Sequence, residues 1–147
     1  MQSKWPALVT FYIFSLACSP VLAQPSGGGP PTDVFVEAHL SEDGVVLSPK
    51  TLELDRGAYY RLNLICQASE HGDPYFNFET EPLVRNSHLR VLTVDTIEVY
   101  VQGLSFRALQ CEGEGAVKFS FYPIRAGTYD INVSNEDVGN SFSVIVE

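Results

Sequence analysis

Hydrophobic and polar residues alternate at every second position in many short runs of this chain, for example in residues 33–40 (DVFVEAHL) and 59–66 (YYRLNLIC). A period of two is typical of β-strands with one buried face, whereas an amphipathic helix has a period of 3.6. Turns rich in Gly, Pro and Asp separate the runs, and the only helical turn that we expect lies near Leu104 to Leu109. About nine short strands predict an all-β fold, a β-sandwich with Greek-key connections.

Residues 1–23 have the pattern of a secretory signal peptide. Lys4 supplies the positive charge, residues 7–17 (ALVTFYIFSLA) form a short apolar segment, and a small-residue cleavage site ends at Ala23. The apolar run is shorter than the roughly 20 residues of a membrane-spanning helix. Lipidation of Cys18 is the alternative, but the residues before it are a poor match to a lipid-attachment site. We therefore expect cleavage after Ala23, no membrane insertion afterwards, and a periplasmic or secreted protein.

The remaining chain divides into a lead and one domain. Residues 24–32 (QPSGGGPPT) are dominated by Gly and Pro and predict a flexible lead. Residues 33–147 are long enough for a single domain with its own core. The chain carries 9 basic and 18 acidic residues, a net charge of −9, which argues against nucleic acid as a partner. No nucleophile elbow, zinc-protease motif or phosphate-binding loop occurs, so we do not expect an enzyme.

Two cysteines, Cys66 and Cys111, remain after removal of the predicted signal peptide. An even number of cysteines in an exported domain indicates a disulfide. The competing interpretation is that two free thiols are metal ligands, although such sites usually have more closely spaced ligands. We predict the Cys66–Cys111 disulfide.

Three segments resemble the cupredoxin family. Residues 47–57 (LSPKTLELDRG), followed by the strand 59–66, are similar to the opening of a cupredoxin domain. Residues 117–131 (VKFSFYPIRAGTYDI) resemble the segment that ends in Gly-Thr-Tyr before the copper loop, and residues 81–86 (EPLVRN) resemble a signature of periplasmic cupredoxin-like proteins. The resemblance implies a cupredoxin-like Greek-key sandwich. It also implies a relationship to iron-uptake cupredoxin domains, which use acidic ligands.

The blue-copper ligands of that family are missing from this chain. In cupredoxins the strand after Gly-Thr-Tyr carries the ligand Cys four residues beyond the Tyr, followed by a His and usually a Met. Here that position is Val133, and residues 134–140 (SNEDVGN) contain no Cys, His or Met. Because the soft thiolate defines a blue-copper centre, we do not expect this protein to be a blue-copper electron carrier.

One imidazole and several carboxylates nevertheless occur close together in sequence: His71, Asp73, Glu79 and Glu81. Such a set of ligands suits iron, copper, zinc or manganese. We therefore expect any metal site at these four residues, with iron or copper as the cofactor. A solvated acidic loop is the alternative interpretation of the same residues.

Two functions follow from these observations. The first is an exported cupredoxin-like protein that binds or delivers a metal ion through carboxylates and His71. The second is a metal-free cupredoxin-fold interaction module that docks on a periplasmic or membrane protein.

Overall fold

The computed structural model describes residues 29–70, 74–94, 97–100, 105–136 and 138–147. The predicted signal peptide and residues 24–28 of the predicted lead lie outside these ranges. The strands are β1 (Thr32–Ser41), β2 (Gly44–Ser48), β3 (Thr51–Leu54), β4 (Tyr60–Cys66), β5 (Tyr75–Glu79), β6 (Ser87–Val94), β7 (Ile97–Tyr100), β8 (Leu109–Glu112), β9 (Gly115–Pro123), β10 (Gly127–Asn135) and β11 (Val138–Val146), and one helical turn, α1 (Glu81–Val84), follows β5. No helix within the described ranges is long and apolar enough to cross a membrane.

The strands form two sheets that face each other. The order is β2-β1-β4-β9-β6-β7 in the six-stranded sheet and β3-β11-β10-β5-β8 in the five-stranded sheet. The pairs β1–β4 and β3–β11 are parallel, and the other pairs are antiparallel. Neighbouring strands are often distant in sequence, as the β4–β9 and β10–β5 pairs show. The predicted sandwich with crossover connections is therefore confirmed, and an up-and-down barrel is not formed.

The inward-facing residues of both sheets build one core. Cross-strand pairs such as Leu62 with Phe119 bring large apolar side chains together, because residues opposite each other point to the same face of a sheet. The largest fully buried side chains are Phe76, Phe78, Phe119, Phe121, Phe142, Leu62, Leu64, Leu83, Ile131, Val36, Val84 and Val133. Each contributes roughly 1.5–3 kcal/mol of hydrophobic free energy relative to an exposed side chain.

Two elements differ from the sequence-based expectation. Residues 105–108 are not helical, and Leu109 begins strand β8, so the helical turn expected near Leu109 is wrong in this part of the chain. Phe106 packs edge-on against Phe119, with ring centroids 5.3 Å apart, and this tertiary contact holds the segment against the core. The helical turn instead lies at α1, where the Thr80 carbonyl oxygen accepts hydrogen bonds from the N–H groups of Leu83 and Val84.

The predicted disulfide between Cys66 and Cys111 is confirmed. It joins the last residue of β4 in the six-stranded sheet to β8 in the five-stranded sheet, and therefore ties the two sheets together at one end. Both cysteines are buried. Neither sulfur is a free thiol, which rules out the alternative of two thiol ligands, and a buried disulfide fits a protein folded in an oxidising compartment.

Candidate functional site

Three connections lie at the end of the sandwich that the disulfide closes: the β4–β5 loop (67–74), the β8–β9 turn (113–114) and the β10–β11 turn (136–137). We call this region the loop end. Described residues of these connections and of the adjacent strands surround a depression of about 660 Å³, lined by Pro74, Tyr75, Glu112, Gly113 and Glu136. The loop end is the first candidate site because it is concave and carries two carboxylates.

Hydrogen bonds from two neighbouring strands hold Tyr75 in this depression. The side-chain amide of Asn135 donates to the Tyr75 carbonyl oxygen at 2.6 Å. The Gln110 amide group bonds to the Tyr75 hydroxyl. Tyr75 also pairs with Glu112 across β5 and β8. The wall of the depression is therefore built by β5, β8 and β10, and its shape depends on the pairing of all three.

Glu136 lies in a tight turn at the rim of the same depression. Asn135 pairs with Val138, so the β10–β11 turn contains only two residues. Glu136 has a φ of 45°, in the left-handed region that two-residue hairpin turns require and that L-residues seldom adopt. The sequence-based search singled out neither Glu136 nor Glu112. Sequence reasoning could have found Glu136, because it lies in the segment Asn-Glu-Asp between two runs of alternating apolar and polar residues. Such a segment is typical of a hairpin turn.

The structure places Val133 in the core rather than in a metal-binding loop. Val133 lies within β10, is 0% exposed and pairs with Phe78 of β5 and Asn140 of β11. The two-residue turn that follows β10 leaves no room for the long loop that carries the His and Met ligands of a blue-copper centre. The residues present at this position do not fit such a centre.

The predicted metal ligands fall into two groups. His71 and Asp73 lie outside the described residues. Glu79 ends β5, and its carboxylate accepts a hydrogen bond from the Asn132 amide at 3.2 Å. Glu81 begins α1 and forms an ion pair with Arg85 at 3.3 Å.

Strand β5 separates the two described glutamates from the loop end. Tyr75 begins β5 beside the depression, and Glu79 lies four residues further on, roughly 13 Å along an extended strand. No cluster of three or more His, Cys, Asp or Glu residues suited to a metal ion occurs among the described residues. The four-residue metal site therefore stays a prediction, and the structure adds Glu112 and Glu136 as carboxylates next to the β4–β5 loop.

A second concave region lies on the outer face of the six-stranded sheet. It is a groove of about 220 Å³, lined by Tyr59, Arg61, Val91, Thr93, Tyr100 and Ser120, which we call the sheet groove. Tyr59 stacks on Tyr122 with ring centroids 4.5 Å apart and an interplanar angle of 9°. The Tyr59 hydroxyl lies 3.0 Å from the Ser120 hydroxyl and donates a hydrogen bond to it. No sequence pattern pointed to this groove, because its residues come from β6, β7, β9, β4 and the residue before β4.

Comparison with known proteins identifies the fold class. No protein-family model matches the chain, and no curated protein sequence matches it. A structure of auracyanin B, a cupredoxin, matches with a TM-score of 0.51 and 15% identity over 82% of this chain and 92% of that chain. A multicopper oxidase from Campylobacter jejuni, described as a metallo-oxidase, matches with a TM-score of 0.44 and 11% identity over 99% of this chain and 34% of that chain. The match to auracyanin B shows that the chain has a cupredoxin-like fold, as the sequence resemblance implied.

Proposed function

We propose that this chain is an exported, non-enzymatic cupredoxin-fold interaction module that docks on another periplasmic or secreted protein through the edge of its six-stranded sheet. The observation that carries this proposal is the exposed apolar surface of the β6–β7 hairpin. Val94 and Val99 are each 45% exposed and Tyr100 is 79% exposed. Exposed apolar residues grouped at one edge are typical of protein interaction surfaces.

Strand β7 is a terminal strand, which favours docking by strand addition. It pairs with β6 through four residue pairs and is the last strand in the order of its sheet. An exposed strand edge is a template on which an extended segment of another protein forms main-chain hydrogen bonds. The side chains of Val99 and Tyr100 lie next to this edge and supply the apolar contact that accompanies such pairing.

The other terminal strands of the described sheets are less suited to docking. Strand β2 buries Val45 and Leu47, and its end is followed by a proline. Strand β3 exposes only Thr51 and Glu53, and strand β8 exposes polar residues. Edges that are short, polar or covered resist pairing with other chains. This contrast favours β7 as the docking edge.

The exposed side chains of the β6–β7 hairpin specify the kind of partner. Val94, Val99 and Tyr100 are apolar or aromatic. The proposed occupant of the β7 edge is therefore an extended segment of an exported protein with apolar side chains next to the edge. Its backbone supplies affinity through hydrogen bonds, and its apolar side chains supply selectivity.

Photo-crosslinking tests the docking edge. Val99 is replaced by benzoyl-phenylalanine in the full chain, and Thr128, which is exposed on the outer face of the five-stranded sheet, is replaced likewise as the matched control. In the exported fraction of the native host we expect one adduct of defined mass from position 99 and none from position 128. Val94→Asp, introduced into the protein that carries the crosslinker at position 99, should abolish capture without changing the melting temperature. Equal crosslinking from both positions, or none from position 99, would refute the docking edge.

Metal binding at the loop end is the second candidate function. Glu112 and Glu136 line the depression together with Pro74, which follows the loop that contains His71 and Asp73. Carboxylates with one imidazole suit iron, copper, zinc or manganese, and their protonation at low pH would weaken binding. In this proposal the protein binds iron or copper for delivery or uptake.

Calorimetric titration with iron(II), copper(II), zinc and manganese tests this second candidate. The titrations are repeated with His71→Ala, Glu136→Gln and Glu81→Ala. Binding that is lost in His71→Ala and Glu136→Gln but kept in Glu81→Ala would place the ion at the loop end. Loss in Glu81→Ala as well would support the four-residue site expected from the sequence. No binding of any ion would leave the interaction module as the function.

A further inference from the structure

The sheet groove is a row of small side chains between large ones. In the cross-strand register, Arg61 pairs with Ser120, Ser120 with Val91, and Val91 with Tyr100. Four neighbouring strands thus place Arg61 and Tyr100 at the two ends and small residues in the middle. Three strand spacings give the row a length of roughly 14 Å. This shape accommodates one ring-sized group with its substituents.

Arg61 gives the groove a positive charge that is only weakly engaged within the protein. Its guanidinium lies 3.5 Å from the Asp33 carboxylate, and both side chains are about 40% exposed. The same Asp33 oxygen accepts a shorter hydrogen bond, 2.9 Å, from the Asn63 amide. An exposed ion pair of this length contributes little to stability. Arg61 can therefore exchange Asp33 for a ligand carboxylate, while Asn63 continues to satisfy Asp33.

Hydroxyl groups dominate the rest of the lining. Four of the six lining residues carry one: Tyr59, Thr93, Tyr100 and Ser120. Tyr59 is held in place by its stacking on Tyr122 and by its hydrogen bond to Ser120, so this wall is preorganised. Rigid hydroxyl groups beside aromatic rings suit a ligand that has hydroxyls on its edge and apolar C–H groups on its faces.

We propose that the sheet groove binds a pyranose ring that carries a carboxylate, that is, a uronic acid residue. The carboxylate pairs with the Arg61 guanidinium in the bidentate geometry that arginine favours. The ring hydroxyls bond with Ser120, Thr93 and the tyrosine hydroxyls, and the ring faces contact Tyr100 and Val91. This inference goes beyond the proposed docking function, because the groove lies on the outer face of β4, β9, β6 and β7, shares only Tyr100 with the docking surface and needs no partner protein.

A titration followed by NMR tests the groove with a defined probe. The ¹⁵N-labelled full chain is titrated with methyl glucuronide, with methyl glucoside as the neutral sugar and with benzoate as the aromatic carboxylate. We expect glucuronide to shift the amide signals of Val91, Thr93 and Ser120 in a saturable way, with at least tenfold tighter binding than either control compound. Equal or tighter binding of the glucoside or of benzoate would overturn the proposal, as would shifts confined to other parts of the chain.

Matched arginine variants complete the test. Arg61→Gln should weaken glucuronide binding about tenfold or more, because a hydrogen-bonded charge pair is lost. Arg85→Gln, whose ion pair with Glu81 lies on α1 away from the groove, should leave binding unchanged. Unchanged binding in Arg61→Gln would overturn the proposal. Val99→Asp changes the docking surface but no residue that lines the groove. The Val99→Asp variant should therefore still bind glucuronide, whether or not it binds the partner protein.

Discussion

The outer faces of the two sheets differ, although both sheets cover the same core. Strands β3, β5, β8, β10 and β11 of the five-stranded sheet contain no Lys or Arg, and they contain four acidic residues. The six-stranded sheet instead carries Arg61, Arg90 and Lys118 on its strands. Its outer face also presents Tyr59 and Tyr122, whereas the outer face of the five-stranded sheet is mainly polar. The two outer faces therefore differ in charge and in aromatic content.

Cross-strand hydrogen bonds between side chains occur on both outer faces. On the five-stranded sheet the Asp130 carboxylate accepts a 2.7 Å hydrogen bond from the Ser143 hydroxyl, and Asn132 donates to Glu79. These bonds join neighbouring strands of the same sheet, as expected for a solvated face. On the six-stranded sheet, Asn63 donates a 2.9 Å hydrogen bond to Asp33 of the neighbouring strand, whereas the Arg61 guanidinium lies 3.5 Å from the same carboxylate oxygen. The Arg61 contact is therefore longer than these cross-strand hydrogen bonds.

The largest expected effect comes from breaking the covalent link between the two sheets. Cys66→Ala combined with Cys111→Ala should lower the free energy of unfolding by about 4 kcal/mol, because the disulfide closes a loop of 45 residues. Urea unfolding of both proteins measures the difference. Reducing agent should destabilise the wild type and leave the double variant unaffected, and thiol titration of the unfolded, unreduced wild type should find neither Cys66 nor Cys111 free. Two reactive thiols at these positions would contradict the disulfide.

Two asparagine variants, one on each sheet, test how much polar side chains of the two sheets contribute to stability. Asn63 on the six-stranded sheet is buried, and its amide bonds to Asp33 at 2.9 Å and to the carbonyl oxygens of Val34 and Arg61 at 3.2 Å. Asn63→Ala should lower the free energy of unfolding by about 2 kcal/mol because the hydrogen bonds of a buried amide are lost. Asn132→Ala, on the exposed outer face of the five-stranded sheet, should change it by less than about 0.5 kcal/mol. Equal changes in the free energy of unfolding of the two variants, measured by thermal unfolding, would contradict this difference between the two faces.

The Thr80 side chain differs from the hydrogen-bonded polar side chains of the two sheets. Its side chain is 0% exposed, and its hydroxyl has no hydrogen-bond partner among the residues that the structure describes. Thr80→Val keeps the shape and removes the buried polar group, so the free energy of unfolding should rise by about 1 kcal/mol. Thr80→Ser retains the hydroxyl and loses a methyl group, and it should destabilise the protein. A destabilised Thr80→Val variant in the same denaturation assay would show that the hydroxyl is satisfied in solution.

The smallest expected effect is the response of the absorption spectrum to copper(II). With Val133 in the core and both domain cysteines in a disulfide, no thiolate of the domain is available to copper. We expect no intense band near about 600 nm, the signature of a copper–thiolate bond. The titration uses the oxidised protein, with the reduced protein as the comparison. An intense band in the oxidised protein would mean that a cysteine coordinates copper.

Several features could be predicted because they depend on local patterns. The alternation in β1, β4 and β10 predicted strands with one buried face, and Val36, Leu62 and Ile131 are buried accordingly. Strand β8 was not predicted, because its first residue, Leu109, was assigned to the expected helical turn. The grouping of Glu79 with the β4–β5 loop relied on closeness in sequence and stays a prediction. An extended strand moves each further residue about 3.3 Å away, so such a grouping depends on tertiary structure.

Residue identity and the period of two, which are local properties, were enough to predict the fold class, the inward or outward direction of most strand residues, the disulfide and the lack of a cysteine ligand at position 133. They could not predict that Arg61, Val91, Tyr100 and Ser120 share one row, or that Glu112 and Glu136 border one depression. Strand order and register arise from packing between segments far apart in the chain, and a local pattern does not specify which strands become neighbours.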